Sequence, residues 1–404
     1  MATQQPSLFS DEEVNEWLET EDDDSPSSDT VSKIVTDETI SDKYSNTQLR
    51  IVRTNIDYSI DYLKNAIGTL IDLMPQYQRR SRWDITKRSL LIESLLLNIP
   101  IPPIFLFEKE YGMYEVVDGR QRLETLKDFL SGNLSLRGLK YWKELNGKKF
   151  EQLPIVIQRG ILRRTISATV LLTESATTFT YEQDNGDTDV DVRMILFNRL
   201  NSGGVQLNAQ ELRNALYESI FNRMLKEVSR HALFTKIWGI PPLEQDEKEN
   251  PSKILISNSL YKSMVDCELV LRFFAIRETN QDLITGGLKT LLDKSMRLHY
   301  TDDEAKVEQS KDLFLKTLER LNTIFDNRPF IVPNTDKPSR PLYDALMVAL
   351  SFLTVEELAE PATIKSRLQT SLNDDTINAI LLGKQNTVEG IKERIEEATK
   401  ILKA

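Results

Sequence analysis

Val116-Val117-Asp118-Gly119-Arg120-Gln121-Arg122-Leu123-Glu124-Thr125-Leu126 is the stretch on which this chain's fold and chemistry turn. Met113 to Val117 reads as a strand that ends at Asp118-Gly119, and Arg120, Gln121 and Arg122 read as the start of a helix. A helix start carries unpaired N–H donors and a partial positive charge, so it attracts anions. Gly119 permits a tight turn with positive φ and a close approach of backbone to ligand. Arg120 and Arg122 supply planar forks for phosphate. Asp118 meets phosphate favourably only through a cation, and Mg²⁺ takes carboxylate and phosphate oxygens together. Gln121 is placed to orient a water, as glutamine does in some nucleotide hydrolases. The alternative is a solvated helix start in which Asp118 only caps the helix.

Working outward, Ile104 to Phe107 is expected to be the partner strand, with Glu108 to Gly112 as the turn. Pro100, Pro102 and Pro103 stop a buried helix expected over 85–98, with Asp84 as its N-cap. Ile56, Ile60, Leu63, Ile67 and Leu70 share a helical spacing, which predicts a helix over 49–70. Residues 72–80 read as a polar, basic connection. Downstream, a helix is expected near 152–162 and a strand over 165–172, giving a compact mixed domain over 49–172. Residues 173–187 read as a polar inserted loop. From 188 the pattern is helical. One helix runs from Asp191 to Leu200 and breaks at Asn201-Ser202-Gly203-Gly204, and another comes after the cap Asn208. The last helix shows Val388, Ile391, Ile395, Ala398 and Leu402 on one face. The expected organisation is an acidic disordered tail (1–46), a small mixed-sheet domain (47–187), a helical domain completing the site (188–300) and a C-terminal helical region (301–404). The class is helix-rich α+β.

The charge is unevenly placed. Residues 1–32 hold ten acidic residues and no Lys or Arg, leaving 51 basic against 52 acidic residues in the rest of a chain whose formal charge is −11. The remainder is therefore nearly neutral, and the tail is expected to be solvated, although Val14, Trp17 and Leu18 could dock as a short helix. A single cysteine, Cys267, excludes an internal disulfide framework and a cysteine-based zinc site. No apolar run spans a membrane, and Met-Ala-Thr-Gln-Gln-Pro lacks the basic flank and apolar core of a signal peptide, so a cytoplasmic location is expected.

An ordered series of stretches resembles one family. They are Gln76-Tyr77-Gln78-Arg79 with Trp83, Leu91-Ile92-Glu93-Ser94, Ile101-Pro102-Pro103-Ile104 and Val117 to Leu123 with Thr125. Phe197 to Gly204, Leu207 to Asn214 and Asp266 to Phe273 complete the series. Together they resemble the N-terminal domain of GmrSD-type restriction endonucleases, grouped with the ParB/sulfiredoxin-like fold. The family's commonest corner reads Asp-Gly-Gln-Gln-Arg, so Arg120 is a departure that adds positive charge. The resemblance implies nucleoside-triphosphate binding or hydrolysis at the corner, and a role in defence against foreign DNA, with DNA or a companion nuclease subunit as partner. The His-dependent HNH half that often accompanies this domain is not expected. The chain has only His231 and His299, neither in a paired-His or His-x-x-Pro setting.

The expected catalytic residues are Asp118, Arg120, Gln121 and Arg122, with Asp118 also holding Mg²⁺. The basic, aromatic cluster around Tyr77, Gln78 and Arg79 reads as a second wall of the phosphate site, or as an exposed loop. Asn201, Gly203 and Gly204 could form an anion nest, or a helix C-cap and turn. With Gly119, the family order adds Arg199 and Arg213 as nucleotide contacts. Glu211 and Arg213 are two apart and do not share a helix face. Asp266, Glu268 and Arg272 are expected in structural ion pairs between helices. The rival expectations are a non-enzymatic DNA-binding adaptor on the same fold and a metal-dependent nuclease.

Overall fold

The computed structural model describes residues 7–19, 52–73, 83–172, 178–183, 186–191, 199, 208–217, 219–245, 247, 251–284, 286–333, 335–383 and 386–404. Two compact units emerge. One is Ser28–Leu207; the other joins Met1–Ser27 to Asn208–Ala404. The fold is a helix-rich α+β arrangement, as the patterning implies.

The chain's first element is α1 (Asp11–Glu19). The mixed unit contains β1 (Arg53–Ser59), α2 (Ile60–Ala66), β2 (Ile71–Asp72), α3 (Ile85–Leu96), β3 (Ile104–Glu110), β4 (Met113–Asp118), α4 (Arg120–Leu130), α5 (Ile155–Leu162) and β5 (Thr165–Leu171). The sheet runs β1-β5-β3-β4-β2. β5 is antiparallel to β1 and parallel to β3, and β4 is antiparallel to β3 and parallel to β2. Ile104, Leu106, Val116, Ile166 and Val170 meet Leu63, Leu123, Leu126 and Phe129 in one apolar core.

The expected helix over 49–70 is instead β1 and then α2. In β1, Ile56 and Tyr58 alternate with Asn55 and Asp57, whose side chains accept from Thr169 and Ser167 of β5 at 3.0 and 2.6 Å. Ser59 then caps α2 by accepting from the Tyr62 N–H. Residues 173–187, expected as a loop, include β6 (Thr178–Gln183) and the start of β7 (Gly186–Asp191), which pair antiparallel. The expected helix from Asp191 to Leu200 lies outside the described residues except for Asp191, which ends β7, and Arg199, which is helical. α3 is N-capped by Asp84 as expected. Within α3, the buried Glu93 accepts the backbone N–H groups of Lys140, Tyr141 and Trp142 at 3.1, 2.7 and 2.9 Å. Burial pushes its pKa up, but those donors outweigh it and hold Glu93 below the usual carboxylate range.

The helical unit contains α6 (Ala209–Leu216), α7 (Ile220–Val228), α8 (Ala232–Trp238), α9 (Lys253–Ser257), α10 (Ser259–Lys262) and α11 (Val265–Asn280). It continues with α12 (Leu288–Leu298), α13 (Glu304–Ile324), α14 (Arg340–Leu350), α15 (Pro361–Asn373), α16 (Asp375–Leu382) and α17 (Val388–Leu402). α11 and α14 are buried on almost every face. Tyr343 donates to the Leu269 carbonyl at 2.7 Å and ties the two together. α17 buries Ile391, Ile395, Ala398 and Leu402, as its spacing predicts. Part of the acidic stretch expected to be disordered is α1, which packs in this unit through Val14. No helix among the described residues is long and apolar enough to cross a membrane.

Candidate functional site

The corner between β4 and α4 is built by one bulge and one glycine. In the β3–β4 ladder Phe105 opposes Asp118 and Leu106 opposes Val116, so Val117 is an extra residue on β4. Such a bulge bends the strand and re-aims its last residues. Gly119 then takes φ +99°, and a Cβ there would lie 2.5 Å from Ile104 Cγ2 and 3.2 Å from Arg122 Nη2. Only glycine fits the left-handed turn and the close packing together.

α4 starts without a side-chain cap and without an acidic residue in its first turn. Its positive end is therefore not neutralised by its own sequence. Asp118 accepts from Arg122 Nη2 at 2.5 Å, and Arg122 Nη1 donates to the Pro102 carbonyl at 2.7 Å. The structure thus brings Asp118 and Arg122 together. The fork is spent on a carboxylate and a carbonyl, so Arg122 holds Asp118 and the Pro102 loop in place. Arg120 donates from Nε to Glu124 Oε1 at 2.6 Å. Its Nη1 is buried and has no partner among the described residues. Gln121, expected to orient a water, accepts the Trp83 N–H on Oε1 at 3.2 Å. Of the three charged side chains Asp118 is the most open, at 28% exposure against 9% for Arg120 and 11% for Arg122.

Tyr77, Gln78, Arg79, Asn201, Gly203 and Gly204 lie outside the described residues. Arg199 is exposed. Arg213, expected at the nucleotide, sits in the helical unit with no exposure and donates from Nε to Asp293 Oδ1 at 2.7 Å. α6 turns Arg213 inward to a carboxylate of α12. Glu211 closes a capping box with Asn208 and is equally structural. Asp266 accepts from Ser229 at 3.2 Å, and Arg272 pairs with Asp344 of α14 through Nε at 3.1 Å and through Nη2. Glu268, expected in an ion pair, is buried with neither carboxylate oxygen partnered among the described residues.

Sequence reasoning missed Glu124 as the partner of Arg120 and the Pro102 carbonyl as the partner of Arg122. The four-residue spacing of Arg120 and Glu124 was a signal for the first; nothing local announces the second. Among the described residues, no group of three or more His, Cys, Asp and Glu is placed to hold a metal. A divalent cation at the corner would draw one carboxylate, Asp118, from the motif, a donor set that fits Mg²⁺, which uses one or two carboxylates beside substrate phosphates and keeps several waters. Clefts of about 640 Å³ beside Phe325 and about 630 Å³ beside His231 lie in the helical unit and contain no corner residue.

Residues 60–218 match the family model described as GmrSD restriction endonuclease, N-terminal domain. The corner, Trp83 and Arg213 fall inside that span, whereas Asp266 to Phe273 fall beyond it. No curated protein matches the chain, and no solved structure does. Over the matched residues, then, the chain is similar to a restriction-type module.

Proposed function

We infer, from that restriction-type module and the geometry of its corner, that the start of α4 binds the phosphates of a nucleoside triphosphate as Mg²⁺ complex. The observation that carries this reading is the buried Arg120 Nη1 with no partner among the described residues, at a helix start with no cap. A buried guanidinium nitrogen without an acceptor is costly, and an incoming phosphate oxygen removes that cost. The first N–H groups of α4 add donors to the same anion.

Asp118, the most exposed of the three charged groups, is the residue to hold Mg²⁺ or to position the attacking water in hydrolysis. Arg122 acts through it, fixing the carboxylate so that no reorganisation is needed when charge develops. Gln121 anchors Trp83 and hence the chain entering α3. Nucleotide state then gates contact with DNA or with a companion nuclease subunit, which completes a restriction or anti-phage function in trans.

Calorimetric titration of the purified chain with ATP, GTP, CTP and UTP in Mg²⁺ tests this. One of the four should bind, and Arg120→Ala should weaken it about 10- to 100-fold, the worth of one charged hydrogen bond (about 1.5–3 kcal/mol). Absence of binding by all four, with and without DNA, sinks the reading.

A further inference from the structure

Residues 7–19 reach the helical unit from the far end of the sequence, and they meet it as a ligand meets a groove. Phe9 and Val14 are buried. The rings of Phe9 and Trp17 lie 4.8 Å apart and stand 6.1 and 6.4 Å from Trp238. Around these anchors charge meets charge. Asp11 accepts from Ser259 and Lys262, both at 2.6 Å, and Glu13 accepts from Lys337 at 2.6 Å. Arg340 donates to the Trp17 carbonyl at 3.2 Å and lies 5.2 Å over the Trp17 ring. Ser10 caps the helix, with its hydroxyl accepting from the Glu13 N–H and its own N–H donating to the Glu13 carboxylate.

We propose that the face carrying Trp238, Lys262, Lys337 and Arg340 is a recognition site for a short acidic helix with aromatic anchors. Residues 7–19 are its tethered occupant, and the same segment of a second copy exchanges into it. Two features of the chain permit exchange. The rest of the unit, Asn208–Ala404, is continuous in sequence without the segment. The segment is joined to Val52 only through residues 20–51, a length that can span up to about 100 Å when extended. Swapping an identical segment keeps every contact named above, so exchange between copies carries little enthalpic cost. A tethered occupant competes intramolecularly, so a free peptide meets a largely filled site.

A fluorescent peptide of residues 5–21 is titrated, by anisotropy, into the full chain and into the full chain carrying Phe9→Ala and Trp17→Ala. The variant's site is vacated and should bind the peptide at least tenfold more tightly than the wild type. Binding to neither, or equal binding to both, overturns the site. A second pair guards against misfolding: Lys337→Glu should weaken the peptide, and a Glu13→Lys peptide should regain the loss; no regain counts against the site. For exchange, copies with Glu13→Cys are mixed with size-tagged copies carrying Lys337→Cys and treated with a short bismaleimide. A mixed covalent dimer is expected. Its absence, while one chain bearing both cysteines closes internally, overturns exchange between copies.

Discussion

Two carboxylate–guanidinium pairs, one in each unit, join the same two chemical groups and differ in burial and in how fully their surroundings are satisfied. Arg272 and Asp344 are both 2% exposed, joined twice, and clamp α11 to α14. Asp118 and Arg122 are joined once, with the carboxylate 28% exposed at a helix start that has no cap. Beside the second pair lies a guanidinium nitrogen on Arg120 that has no partner among the described residues. The first pair is closed, with both its charges committed to each other. The second is open at its carboxylate, and the unpartnered donor beside it is on Arg120. An acidic–basic motif therefore says little until its satisfaction is counted.

The comparison breaks most readily at the closed pair. Removing one partner strands the other charge in a low-dielectric core, which costs about 3–5 kcal/mol. Arg272→Ala should lower the stability read from urea melts by that amount, or leave the chain insoluble, while Arg120→Ala costs clearly less, because its partner Glu124 is part-exposed and is rehydrated. Equal losses from both would erase the distinction between a sealed pair and an open corner. Gly119→Ala is next in size. The added Cβ meets Ile104 at 2.5 Å with φ at +99°. Strain and crowding together should cost about 2–4 kcal/mol. Because that substitution also moves the start of α4, nucleotide binding should fall with it, and unchanged binding in a folded variant would show that the turn does not shape the site.

Much of the corner was legible because its signals are local. Asp84 caps α3, the prolines stop it, and Gly119 marks the turn, all within a few residues of what they control. The expected helix over 49–70 failed for the opposite reason. Ile56 and Ile60 share a helical spacing by accident, and β1 is specified by pairing with β5, which is remote in sequence (Ser59 opposite Thr165). The β6–β7 pairing had a sequence signal, Asn185-Gly186 between polar alternating runs, which the polarity of 173–187 masked. The fates of Arg122 and Arg213 were illegible, because Pro102 and Asp293 are brought to them only by the fold.

The smallest effect separates the two units by pH. In the mixed unit Glu93 is held below its ordinary pKa, so its stabilisation is present above the unfolded value and lost as pH falls through the folded one. In the helical unit His299 is pinned between Glu278 and Asp302, with both contacts at 2.5 Å, and its ring stacks 4.2 Å from Phe221. Burial alone lowers its pKa, but Glu278 first and Asp302 second reverse that and raise it. A raised histidine stabilises fully below its unfolded pKa and loses that contribution as pH rises through the folded value. Each slope is bounded by about 1.4 kcal/mol per pH unit for one proton. Melts of the wild type, Glu93→Gln and His299→Gln between acid and mild alkali should therefore differ in sign. Glu93→Gln should flatten the acid limb only, whereas His299→Gln should flatten the alkaline limb and, because His299 helps hold Asp302 low, part of the acid limb as well. If Glu93→Gln changes the alkaline limb, or His299→Gln leaves it unchanged, the charges of the two units are not separately satisfied, and the contrast between a closed helical core and an open corner loses its basis.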